Sequence, residues 1–104
     1  DTETCLNEAI ERARRYEAHG ANGIFVPGLT DLPSISTLAS SLALPINVMA
    51  VPDSPSIEAL SEAGVARISF GGWPIRTFAT AFSGMVAGFA TTGNYGDLEF
   101  RDQA

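Results

Sequence analysis

Few side chains in this 104-residue chain stand where they could do chemistry. Asn47, Met49 and Val51 alternate along one apolar run, so they share one face if that run is a strand. Ser69 ends a second run and offers a hydroxyl to the same kind of face. Gly71-Gly72 precede Trp73 and an apolar helical pattern. A glycine turn at a helix start can bind phosphate through backbone N–H groups, or it can simply be a tight turn. Cys5 has no His nearby and is given no catalytic role. His19 stands near a helix end, where a positive charge is favoured, and reads as a surface residue. Asp31, Glu58 and Asp53 are scattered over capping and loop positions and lack the clustering a metal site requires. Arg76 has a charge to offer a neighbouring subunit, but nothing fixes a partner.

The elements that position these residues follow from periodicity. Ile24-Phe25-Val26, Ile46-Asn47-Val48-Met49 and Ile68-Ser69-Phe70 are short apolar runs whose first residues are 22 apart. Such runs, bounded by Gly or Pro, read as buried parallel strands, near 23–26, 45–49 and 66–70. Helical patterns fill the gaps. Leu6, Ile10, Ala13 and Tyr16 form an apolar side, and Glu8–Arg12 and Glu11–Arg15 are i,i+4 pairs on the other. Gly20 follows as a helix stop. Asp31 reads as an N-cap before a stripe of Ile35, Leu38, Ala39 and Leu42. Ser54 reads as the next cap, with Pro55 at the first helical position, Ile57, Leu60 and Ala63 inward, and Gly64 as the stop. A last helix spans about 74–90, followed by a tail over 91–104. It carries Phe78, Phe82, Met85 and Phe89 on one side and Thr80, Gly84, Ala87 and Gly88 on another. No charge falls between Arg76 and Asp97. Apolar on all sides, it is a helix packed on both faces; Thr, Ser and Gly dilute it below a membrane span.

Composition limits the function classes. Hydrophobic residues make up 45% and charged residues 17%, against a typical ~25%, so a packed core rather than disorder is expected. Twelve acidic and six basic side chains give a net charge of −6, and every basic residue is Arg. Phosphate backbones and anionic lipid repel such a surface, so neither nucleic acid nor membrane is an expected partner. One Cys forms no internal disulfide, and no basic segment followed by an apolar run opens the chain, so a cytoplasmic location is expected. Three βα units are too few to close a barrel, which takes eight, and would leave strand edges open. The chain therefore reads as part of something larger.

Several segments resemble one family. They are Ala9-Ile10-Glu11-Arg12-Ala13, Tyr16-Glu17-Ala18, Gly20 through Asp31, Leu44 through Met49, Ala63 through Ser69, and Gly93-Asn94-Tyr95-Gly96-Asp97-Leu98. In this order they look like the isocitrate lyase/phosphoenolpyruvate mutase superfamily. The resemblance implies an α/β fold, the C-terminal part of a TIM (β/α)8 barrel: its last three strands and last helix. It implies a helix exchanged between subunits of a homo-oligomer. It also implies a Mg-dependent lyase or phosphonomutase. Such enzymes act on a C–C or P–C bond next to a 2-oxo acid, through a pyruvate-enolate-like species held on the metal. The metal-holding acids, the gating-loop Lys and Cys and a substrate-binding Arg belong to the first five strands of that family. The chain alone is thus expected to be inactive, with no catalytic or metal residue of its own. Barrel sites lie at the C-terminal strand ends. The resemblance therefore makes Pro27, Gly28, Asn47, Met49, Ser69, Gly71 and Gly72 the expected substrate-binding positions, for a small 2-oxo acid or phosphonate. Pro27 stands where family lyases carry Glu and mutases His, and Met49 and Val51 where lyases carry Asn and Thr. Asn47 either reaches a bound carboxylate from deeper in the barrel or is a satisfied core amide. Two other readings remain: a non-catalytic truncated barrel acting as an oligomerisation module, and a phosphate-binding barrel of another family.

Overall fold

A computed structural model describes residues 2–95. The elements run α1 (Thr2–Ala18), β1 (Ile24–Phe25), α2 (Leu32–Ser41), β2 (Ile46–Met49), α3 (Ile57–Glu62), β3 (Val65–Ser69) and α4 (Trp73–Thr92). The chain divides after Gly71 into two compact parts. Tail residues 96–104, including Gly96-Asp97-Leu98, lie outside the described residues.

In the first part the three strands pair in parallel, in the order β1-β2-β3. The order never reverses, so right-handed crossovers bring their helices to one face of the sheet. That face holds the core. Ile24, Ile46 and Val48 of the strands are buried with Ile10 and Ala13 of α1, Ile35 and Leu38 of α2, and Leu60 of α3. Ile35 and Leu38 are 0% exposed. Burial of a side chain of that size contributes about 1.5–3 kcal/mol. Strand alternation turns Phe25, Asn47, Met49, Arg67 and Ser69 to the other face.

The 22-residue spacing holds for the pairing Ile24↔Ile46 but not for the next pair. There Ile46 faces Val65, Asn47 faces Arg67, and Ala66 is passed over in an irregularity. β3 also starts at Val65, three residues before the apolar run. The reason lies in Gly64, at φ +88, which stops α3 and admits close packing on α2: a Cβ there would stand 3.3 Å from that of Ala39. The chain then enters the sheet at once.

Caps follow chemistry already present in the sequence, with one shift. Asp31 caps α2, its Oδ1 accepting from the Ser34 N–H at 2.9 Å. The Ser34 hydroxyl and N–H hold the Asp31 carboxyl below its ordinary value. The cap of α3 is Ser56, accepting from the Ala59 N–H at 3.1 Å, and not Ser54. The Ser54 hydroxyl is occupied upstream, where it accepts from the Val51 N–H at 2.9 Å, so Pro55 stays outside the helix. Two expected core residues are exposed in consequence of position. Ile57, at 71%, opens α3 beside its cap, and Tyr16, at 54%, borders the free edge of β1 with Ala9 and Arg12.

α4 lies in the second part. It has Gly72 at its N-cap without a side-chain bond, and it ends at Gly93, whose N–H donates to the Phe89 carbonyl at 2.9 Å. Thr77, Thr91 and Thr92 donate their hydroxyls back to carbonyls four residues earlier. Their polarity is thereby absorbed within the helix. Ile75, Phe78, Phe82 and Val86 are exposed at helical spacing, and the Phe78 and Phe82 rings stack with centroids 6.1 Å apart. No helix among the described residues is long and apolar enough to cross a membrane.

Candidate functional site

The face of the sheet turned away from α1–α3 gathers most of the chain's polar strand residues. β2 contributes Asn47 and Met49, and β3 contributes Arg67 and Ser69, in direct register as Asn47↔Arg67 and Met49↔Ser69. Asn47 Nδ2 donates to Ser69 Oγ at 3.1 Å, and Ser69 Oγ donates onward to the Val48 carbonyl at 3.5 Å. Asn47 Oδ1 is buried and accepts nothing. A buried amide oxygen without a donor costs about 1–3 kcal/mol, so it calls for a partner.

Met49 reaches across to the turn that follows β3. Gly71 has φ +52, and a Cβ there would lie 2.7 Å from Met49 Sδ. Only glycine satisfies both the left-handed backbone and the approach of the thioether. Asn47, Met49, Ser69 and Gly71 are therefore brought together. Pro27 and Gly28 are not part of that group. They follow β1 and line a separate cavity of about 500 Å³ with Cys5, Leu6, Ala9 and Ser34. Gly72 begins the second compact part, where its carbonyl accepts from the Arg76 N–H at 3.1 Å.

The residue that sequence reasoning missed is Arg67. It is exposed and lines a cavity of about 370 Å³ with Asn22, Gly23, Phe25, Pro45 and Asn47. Alternation in Val65-Ala66-Arg67-Ile68-Ser69 puts Arg67 on the face of Ser69, one residue before the apolar run begins at Ile68. This cavity opens at the N-terminal strand ends. Reaction chemistry in βα sheets gathers at the C-terminal ends, where Met49, Ser69 and Gly71 stand.

Glu11, Arg15, His19 and Arg76 make local contacts. Arg15 pairs with Glu11 across one exposed helical turn. His19 Nδ1 donates to the Arg15 carbonyl at 2.7 Å, tying off the end of α1. The Arg76 guanidinium lies 5.8 Å from the centroid of the Trp73 ring. No group of three or more His, Cys, Asp or Glu among the described residues is placed to hold a metal ion.

Comparison with known proteins agrees with this architecture. The model of the phosphoenolpyruvate phosphomutase family matches residues 1–90. An uncharacterized protein of Mycobacterium tuberculosis (strain H37Rv) is 42% identical over 65 residues, which are 62% of this chain and 25% of that protein. An oxaloacetate decarboxylase of Bradyrhizobium sp. (strain BTAi1) is 40% identical over 50 residues, 48% of this chain and 17% of the enzyme. The crystal structure of a candidate phosphonomutase from Burkholderia cenocepacia J2315 superposes with a TM-score of 0.78 at 41% identity, covering 83% of this chain and 34% of that one. The chain thus spans a quarter of that mycobacterial protein and about a third of that phosphonomutase. By its sequence and its three parallel βα units, the chain belongs to the phosphoenolpyruvate phosphomutase family, within the isocitrate lyase/phosphoenolpyruvate mutase superfamily.

Proposed function

We propose that residues 1–104 form the C-terminal three βα units and last helix of a (β/α)8 barrel whose whole is a lyase or phosphonomutase-type enzyme. Its reaction makes or breaks a C–C or P–C bond next to a 2-oxo acid. The observation that carries this reading is the non-reversing parallel order β1-β2-β3 with its core on one face, in a chain of this family. An arc of a barrel has that arrangement, whereas a doubly wound sheet reverses its strand order.

Within that whole, the chain supplies the wall of the site. Met49, Ser69 and Gly71 stand at C-terminal strand ends, with Asn47 one layer deeper. The second N–H of Asn47 Nδ2 orients a carboxylate or carbonyl oxygen, and Ser69 Oγ, which accepts the first, holds the amide in place. Met49 closes the wall with an apolar surface that excludes water. Pro27 and Gly28 shape the neighbouring loop and offer no acid or base, since a prolyl side chain has no proton to give. Mg²⁺, which the family resemblance implies, would offset negative charge developing on an enolate oxygen. The described residues do not fit it as ligands. The Asp31 carboxylate is engaged by Ser34, and no acidic cluster accompanies it. No step is therefore assigned to the metal through this chain.

The exposed stripe of Ile75, Phe78, Phe82 and Val86 supports association between copies through α4. A cytoplasmic location accompanies the reading. The test is direct. The 104-residue chain, assayed with Mg²⁺ for pyruvate release from oxaloacetate and for pyruvate formation from phosphonopyruvate, should match the protein-free rate. Turnover by the chain alone sinks the proposal, and so does an upstream reading frame without acidic strand positions.

A further inference from the structure

Asn22 and Gly23 link α1 to β1, and the chain is anchored on either side of them. Upstream, the Ala21 N–H donates to the Tyr16 carbonyl at 3.0 Å; downstream, the Ile24 N–H donates to the Pro45 carbonyl at 2.9 Å. Between these anchors both residues are exposed. No hydrogen bond among the described residues engages the Asn22 side chain or the Gly23 N–H. A side-chain amide carbon thus stands beside a backbone nitrogen, and neither is held elsewhere. Gly23 has no Cβ to keep that nitrogen from closing on Asn22 Cγ. The chain's other Asn residues are placed differently. Asn7 lies within α1, where the helix ties up the N–H that follows it. Asn47 precedes the β-branched Val48 in β2, and its Nδ2 is donating to Ser69 Oγ. Asn94 precedes the bulky Tyr95. The two reacting atoms at Asn22 and Gly23 are neighbours along the chain. No packing beyond the α1–β1 link has to bring them together, and the site does not rest on the lyase reading.

We propose that Asn22 is a self-modification site that converts to isoaspartate, and that the conversion loosens β1 from β2. Asparagine is among the thermolabile residues. A solvent base takes the Gly23 N–H proton, and the nitrogen attacks Asn22 Cγ. The N–Cγ bond forms, the Cγ–Nδ2 bond breaks, and Nδ2 departs as ammonia with a proton taken from water. The ring that results is a succinimide. Water then opens it: attack at Cγ gives aspartate, and attack at the backbone carbonyl carbon of Asn22 gives isoaspartate. Nothing is oxidised or reduced. An amide –NH2 is exchanged for an ionised carboxylate, and the chain gains one negative charge. In isoaspartate the main chain runs through Cβ and is one atom longer. That atom falls immediately before β1, whose hold on β2 is short: the register pairs are Ile24↔Ile46 and Phe25↔Asn47. Gly23 is also close-packed there, since a Cβ on it would stand 3.3 Å from the Pro45 carbonyl oxygen. That oxygen is the acceptor of the Ile24 N–H, so a displaced Gly23 disturbs the first bond of the strand.

The test ages the 104-residue chain in warm neutral buffer and follows it by mass and by amide hydrogen exchange. Trypsin, which cuts after Arg, releases residues 16–67 as one fragment that holds both Asn22 and Asn47. A gain of about 1 Da should build up at Asn22, with isoaspartate as the larger product on electron-transfer fragmentation. Asn47, in the same fragment, should react at least about tenfold more slowly, and the folded chain should stay within about tenfold of a free peptide of residues 20–26, each factor of ten being about 1.4 kcal/mol of barrier. Asn22→Ser should abolish the gain; the side chain is exposed and unbonded, so this variant keeps the fold. In the fresh chain the Ile24 amide should be protected from exchange. In the modified fraction that protection should fall, while the Leu38 amide of α2 keeps its own. Asn22 reacting no faster than Asn47, or far more slowly than in the peptide, overturns the proposal. So does a modified fraction that keeps the Ile24 protection of the fresh chain. A fresh chain whose Ile24 amide exchanges at the peptide's rate overturns it too, since β1 then has no hold to lose.

Discussion

At the residue scale, the chain uses small polar groups to fix backbone rather than to react. Asp31 is one case. Its carboxyl is held below the ordinary value by Ser34, so the folded state favours the ionised form. The stability this contributes is present above the unfolded-state value near 3.8 and is lost as pH falls through the lower folded-state value. Asp31→Ala should cost about 1 kcal/mol in urea unfolding at pH 7, and the difference from wild type should shrink at the acid end. Asp31→Asn should keep most of the cap and remove that acid dependence. Gly71 is the second case. Gly71→Ala puts a Cβ 2.7 Å from Met49 Sδ and a non-glycine at φ +52. The left-handed backbone alone costs about 1–2 kcal/mol. Met49→Ala in the same chain should relieve the contact but not the backbone share, so the two substitutions should be non-additive in equilibrium unfolding.

At the scale of elements, the two kinds of helix should respond differently to the same treatment. α2 is seated with Ile35 and Leu38 fully enclosed, so Leu38→Ala should destabilise by about 2–5 kcal/mol, read from the urea midpoint. α4 presents Phe78 at 64% and Phe82 at 52% exposure. Phe78→Ser with Phe82→Ser should leave the urea midpoint of the first part within about 0.5 kcal/mol. The same pair should shift sedimentation toward the monomer. Unchanged association would count against α4 as the contact between copies. The caps show why element boundaries resist reading. Ser54 and Ser56 are equally good caps by residue type, and the choice fell to Ser56 because the Ser54 hydroxyl serves the Val51 N–H.

At the scale of the whole molecule, three strands leave β1 with a free edge beside Ala9, Arg12 and Tyr16. Open parallel edges with an apolar flank pair readily with further strands. The chain should therefore associate as its concentration rises, and an equimolar supply of the preceding five βα units of a family member should suppress that association. Light scattering across a concentration series tests both. On the reading proposed above, activity belongs to this scale as well, since that reading puts the acids and the lysine of the family on preceding units.

The sequence by itself determined the element order, the strand runs at Ile24 and Ile46, the Asp31 cap and the core stripe of Ile35 and Leu38. Each depends on local periodicity or on a side chain bonding its own backbone, interactions that span only a few residues. It also carried the family, through the order of short segments from Ala9 to Ser69. What the tertiary structure decided needs partners far apart in the chain. Pairing across β2 and β3 set Arg67 opposite Asn47 and passed over Ala66, a shift that the even 22-residue spacing does not contain. The same pairing brought Ser69 to Asn47 and left Oδ1 without a donor. Met49 was selected as the neighbour of Gly71 by the approach of two strand ends, at a separation of 22 residues. A one-dimensional pattern states which face a strand residue takes; which residue stands opposite it, and whether their polar atoms are satisfied, is settled only when the strands are laid side by side.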